Sequence, residues 1–164
     1  MMLNELISQL PDGKAINKLV TLLRKQQEQE IMETMEYLLN HPSGKIQMVA
    51  LKIVPRVINN PAMLIRLLDC GLEKKNISGA APYIRAIAPS LGYKKMLHHL
   101  KKLAQNEPEK IVYIWYSLVP EVLRSAPEQL FLLKEICQKV DEHLVRDGEF
   151  RSFWQRTKDS VPLL

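Results

Sequence analysis

The sequence predicts an all-α protein: about four helical hairpins laid in a row, with capping helices at the N- and C-terminal ends. Three observations predict it. Apolar residues recur at the three-to-four-residue spacing that lines one side of a helix. A short opening motif returns at intervals of 31 to 35 residues, which is the mark of a repeat architecture. A proline then falls late in three of the apolar segments, each time in the same setting. Glycine is scarce, six in 164 residues, and most glycines lie between periodic segments, which disfavours a sheet protein.

A short helix over 2–10 leads the chain. PDGKA (11–15) and PSGKI (42–46) then share the pattern Pro-x-Gly-Lys-apolar with a period of 31. A looser third instance is SGA (78–80), with Gly79 35 residues after Gly44, and PEKI (108–111) is the fourth. Each opens an apolar-periodic segment, and Pro, Asp, Ser and Gly in front of such a segment are helix-start signals. After a short break a second helix follows, over about 28–40, 62–75, 93–105 and 127–146. Pro61 and Pro127 suit a first helical position, where the missing N–H costs nothing, and Asn60 suits the N-cap before Pro61. The repeats therefore cover about 11–41, 42–75, 76–106 and 107–146 of a single domain, 1–164.

The prolines are Pro55 in LKIVPRV (51–57), Pro89 in RAIAPSL (85–91) and Pro120 in SLVPEVL (117–123). Two residues before them stand Ile53, Ile87 and Leu118; two after stand Val57, Leu91 and Val122. The first repeat has Leu22 in register, but Arg24 where proline would be. A proline inside a helix removes one hydrogen bond and presses on the carbonyl four residues back, at a cost of about 3 kcal/mol. Two readings follow: each first helix is bent at its proline, or it stops before it.

The helix pairing, the period and the late prolines resemble the HEAT-repeat family of α-solenoids, over about residues 11–146. Armadillo-like and other helical-hairpin stacks share the pairing. The resemblance implies a right-handed α-α superhelix whose second helices line a concave inner face, and a scaffold that binds a protein partner. Arg24 is a departure from the proline pattern.

The second helices differ in charge. Over 28–40 stand Glu28, Glu30, Glu33 and Glu36 with no Lys or Arg, and Ile31, Met32, Met35, Leu38 and Leu39 supply the apolar side. The helix over 62–75 is apolar around most of its circumference, with Arg66, Asp69 and Glu73 as a thin polar line. Over 93–105, Tyr93, Met96, Leu97, Leu100, Leu103 and Ala104 form one stripe. Opposite and beside it stand Lys94, Lys95, His98, Lys101 and Lys102, with His99 at the stripe's edge. Arg66 and these basic residues form the candidate binding surface, for an acidic or phosphorylated protein. Nucleic acid is the alternative, since a basic stripe can follow a phosphate backbone; the only aromatic on that helix, Tyr93, lies on the buried side, so stacking platforms are missing. Among HEAT-like solenoids, some DNA-repair glycosylases hold DNA in this way, and Asp69 and Glu73 are the acids such a reading would use.

Catalytic and cofactor motifs are weak. Gly13-Lys14 and Gly44-Lys45 lack the upstream Gly and following Ser/Thr of a phosphate loop. Adjacent helical residues such as His98 and His99 point about 100° apart and do not share a metal ion well. No triad or paired-carboxylate set assembles, and no cofactor is expected. The cluster YIWY (113–116) reads as packing between repeats, with the Tyr113 and Tyr116 hydroxyls at the surface. After the turn signal Asp147-Gly148, Phe150, Phe153 and Trp154 lie at helical spacing over 149–158. This segment reads as the cap over the last open core; the alternative is docking through Phe153 and Trp154.

Composition agrees. A globular chain of this length buries roughly 70% of its unfolded surface, and 46% apolar with 25% charged residues is ordinary for such a domain. The net charge of +5 is too small by itself to imply nucleic acid. Cys70 and Cys137, with no nearby partner cysteine, read as reduced thiols. The N-terminal stretch carries Glu5 and no apolar run of signal-peptide length, and nothing is long enough to cross a membrane, so the cytosol is the expected compartment.

Overall fold

The computed structural model describes residues 2–74, 79–144 and 148–163. Lys75, Ser78 of the third opening motif, positions 145–147 with the expected Asp147 turn, and Leu164 lie outside the described residues. The described elements are all helical. The chain divides into two compact units, Met1–Leu67 and Leu68–Leu164.

The first unit holds α1 (Met2–Ser8), α2 (Gly13–Arg24), α3 (Glu28–Leu39), α4 (Gly44–Val57) and the start of α5 (Pro61–Leu72). The Asp12 carboxylate accepts from the Ala15 N–H at 3.0 Å and caps α2. Asn60 caps α5 as expected, accepting from the Ala62 N–H at 2.9 Å and the Met63 N–H at 3.4 Å. α1 packs on α2, α2 on both α3 and α4, and α3 on α4.

The second unit holds the rest of α5, then α6 (Ala81–Leu91), α7 (Tyr93–Asn106), α8 (Pro108–Ser125), a 3-10 turn (Pro127–Gln129), α9 (Leu130–His143) and α10 (Gly148–Ser160). α6 packs on α7 and α8, α7 on α8 and α9, and α8 on α9 and α10. Several helices in each unit pack on both the next helix and the next but one, as α2 does on α3 and α4 and α7 does on α8 and α9. First helices lie on first helices (α2 on α4, α6 on α8), and the second helices α7 and α9 lie on each other.

The core follows the sequence register. Ala15, Ile46, Ala80 and Ile111, the apolar residues of the four opening motifs, are all buried. So are Ile53, Ile87 and Leu118 ahead of the prolines. Leu22, in the same register, is only half-buried, and Leu23 takes the core position instead.

The helices do not stop at the prolines. α4 runs two residues past Pro55, α6 two past Pro89 and α8 five past Pro120. All three prolines are exposed. The carbonyl that loses its partner lies four residues back, at Leu51, Arg85 and Tyr116; Arg85 and Tyr116 are exposed, so water can take the place of the missing N–H there, whereas Leu51 is buried. A proline facing the core would leave that carbonyl dry, at about 1–3 kcal/mol more.

α10 covers the open end of α8. Trp154 is 4% exposed and meets Trp115 of α8 edge to face at 5.5 Å between ring centres. Tyr113 meets Phe150 and Phe153 at 5.9 and 6.2 Å. The YIWY cluster thus packs between helices, while Tyr116 stays 55% exposed.

Candidate functional site

The candidate site is the outer face of α7. Its buried side is fixed by Met96, Leu97, Leu100 and Ala104, all fully buried, with Tyr93 and Leu103 half-buried beside them. At 100° per residue, this leaves Lys94, Lys95, His98, Lys101 and Lys102 within one arc of about 120°. Lys94, Lys95, His98 and Lys102 are exposed and form no ion pair among the described residues. α7 has no acid of its own between Tyr93 and Asn106.

Two polar contacts border the arc. On one side, His99 Nε2 lies 2.7 Å from Asp69 Oδ1 of α5. On the other, the Lys101 ammonium donates to Glu135 Oε2 of α9 at 2.9 Å. Lys101 is therefore committed to the neighbouring helix, and the free part of the stripe is Lys94, Lys95, His98 and Lys102. At its N-terminal end α7 is tied to α8, because the Tyr93 hydroxyl donates to the buried Glu121 carboxylate at 3.1 Å and Arg124 also pairs with Glu121.

Arg66, the remaining residue of the candidate surface, stands on α5. It belongs to the first unit, where its Nε stands 2.7 Å from Glu36 Oε1 of α3 without the alignment of a hydrogen bond. The acids of the glycosylase reading are engaged as well. Asp69 holds His99, and Glu73 accepts from the Lys110 ammonium at 2.5 Å. Lys110 is buried between Glu73 and Glu107. Burial pulls its pKa down, but the hydrogen bonds to Glu73 and Glu107 outweigh this and hold it above the ordinary lysine value. Cys137 is half-buried, and burial with the nearby Asp141 pushes its thiol up, away from reactive thiolate character. Cys70 is half-buried as well. Among the described residues no three His, Cys, Asp or Glu side chains converge as a metal site would require.

Of the two docking candidates, Trp154 is buried in the cap and its indole N–H donates to Asp141 at 2.7 Å. Phe153 is half-buried on the wall of a groove between α8 and α10, which Tyr113, Tyr116 and Arg156 also line.

The flanking pairs were missed from sequence, although a signal existed. His99–Asp69 and Lys101–Glu135 join residues 30 and 34 apart on successive hairpins, and Lys110–Glu73 joins residues 37 apart, from the end of the second repeat to the start of the fourth. Opposite charges at the repeat interval on successive hairpins would have found the first two. Among the described residues no helix is long and apolar enough to cross a membrane. No family model, curated protein or solved structure matches the chain.

Proposed function

We propose that the chain is a non-enzymatic binding module of the cytosol, a short HEAT-like solenoid of helical hairpins with a right-handed superhelical course. The free basic face of α7 is its binding surface, and the ligand is an acidic or phosphorylated segment of a protein partner. The observation that carries this reading is the set of four exposed cationic or titratable side chains, Lys94, Lys95, His98 and Lys102, on a helix whose flanks are pinned by His99–Asp69 and Lys101–Glu135. A single solvent-exposed pair contributes about 0–1 kcal/mol. A useful affinity therefore needs several cations held in register, and a pinned helix supplies this without ordering cost at the moment of binding. The like-with-like packing of first and second helices supports the solenoid reading.

The test is titration of a glutamate-rich peptide and of its phosphoserine counterpart against the wild-type chain and a Lys95→Glu/Lys102→Glu variant. The reading expects binding that the variant loses. Equal binding by both proteins counts against the α7 face. A short DNA duplex is titrated in parallel at two salt concentrations. Tighter binding of the duplex, with a steep salt slope, would favour the nucleic-acid alternative.

A further inference from the structure

We infer that the basic face of α7 docks on the acidic face of α3 in a second copy of this chain, with one α7 lysine laid into the slot between α1 and α3. This rests on the reading of α7 as a surface for acidic partners, and it names one such partner.

The slot carries the argument beyond net charge. It has a volume of about 210 Å³ and is lined by Leu3, Asn4 and Ile7 of α1 with Glu33, Thr34 and Tyr37 of α3. Its walls are aliphatic and aromatic, and its charged member is a carboxylate. This is the environment of a lysine: the four-carbon stem lies along Leu3, Ile7 and the Tyr37 ring, and the ammonium reaches Glu33. Tyr37 is 61% exposed, the most open of the large apolar side chains among the described residues, and its ring face attracts a cation.

The spacing matches. Glu30 and Tyr37 are seven residues apart on α3, and Lys95 and Lys102 are seven apart on α7. Each interval is two helical turns, about 10 Å. With the helices side by side, one lysine meets Glu30 while the other enters the slot beside Tyr37 and Glu33. Glu30 is exposed, and Glu33 accepts only from its neighbour Gln29 at 3.2 Å. α3 has no Lys or Arg and α7 has no Asp or Glu, so the faces attract each other while each repels its own kind. The contact is heterologous, with different surfaces on the two copies.

The experiment is sedimentation velocity on the full chain over a concentration series, at about 50 mM and about 500 mM salt, since screening separates charge-driven from apolar association. The expected result is self-association at low salt that weakens at high salt. Lys95→Glu/Lys102→Glu and, separately, Glu30→Lys/Glu33→Lys should each weaken it at least about tenfold. An equimolar mixture of the two variants should then restore a one-to-one complex, because one keeps a native α3 and the other a native α7. A wild-type chain that stays monomeric at low salt overturns the inference, as does a mixture that restores nothing. If the monomeric chain still takes the glutamate-rich peptide, the reading of α7 stands without it; if it takes neither, both fall.

Discussion

Arg24 Nε donates a hydrogen bond to the main-chain carbonyl of Arg56 at 3.0 Å. Arg56 returns the tie, its guanidinium donating to the Asn17 side chain of α2 at 3.3 Å. The carbonyl lies in the last turn of α4, where helical carbonyls lack an N–H partner within the helix. Arg24 occupies the register position that proline takes in the next first helices. The departure from the repeat pattern thus has a physical role: a long donor side chain at this point fastens the first hairpin to the second.

Replacing Arg24 with Ala should remove that cap at a cost of about 0.5–1.5 kcal/mol. The expected readout is a lower urea midpoint with an unchanged m-value. Lys at this position should recover little, because the contact is made by Nε within the side chain and not by a terminal ammonium. A midpoint unaffected by Arg24→Ala would show that the exposed tie contributes nothing.

Gly71 and Tyr83 make the second prediction. A Cβ at Gly71 would stand 2.4 Å from Tyr83 Cγ, and the Tyr83 ring is 2% exposed and has little room to move. Gly71→Ala should destabilise by about 1–3 kcal/mol through overpacking, despite the better helix propensity of Ala. The Tyr83 hydroxyl is buried without a hydrogen-bond partner, so Tyr83→Phe should be neutral or stabilising. Its pKa is pushed up to about 12, first by burial and then by the negative charge of Cys70. The unfolded chain loses this proton near 10, so the stabilising contribution is complete below pH 10 and is lost as pH rises through 12. Stability measured across that window should fall less steeply in Tyr83→Phe.

Trp154 tests the cap. Trp154→Ala removes the contact with Trp115 and the bond to Asp141, and should cost about 3–5 kcal/mol. Trp154→Phe keeps an aromatic ring but loses the indole donor, and should cost markedly less. Denaturant titration followed by circular dichroism distinguishes the two; equal small losses would mean that α10 does not close the core of α8.

Pro120 tests the account of the exposed prolines. It is exposed, and α8 continues five residues beyond it. Pro120→Ala restores an N–H for the Tyr116 carbonyl and should stabilise by about 1–2 kcal/mol, since the entropy that proline removes from the unfolded chain offsets only part of its cost. A loss of stability would instead mean that α8 needs its proline to follow the surface beneath it.

Much of the helix layout was legible because apolar period and start signals act locally. Asp12 and Asn60 cap the helices they precede, and the apolar stripe of 93–105 is the buried side of α7. Two readings of the prolines stayed open, since local signals favour a stop as much as a continued helix; the continuation of α4, α6 and α8 past Pro55, Pro89 and Pro120 rules out the stop. The burial of Lys110 was hidden for a related reason. PEKI looks like a helix start, and only the position of Glu73, 37 residues earlier, makes a buried ammonium tenable. Lys101 read as one more member of a free stripe because Glu135 lies on another helix. Leu22 and Leu23 show the limit of register: one residue is 100° of rotation, enough to trade a core position for a half-open one.

The ties of Arg24, His99, Lys101 and Lys110 each span only 30 to 37 residues of chain. Short reach has a kinetic consequence. Each contact closes a small loop, so assembly does not wait for distant parts of the chain to meet, and helical proteins of this kind fold within microseconds to milliseconds.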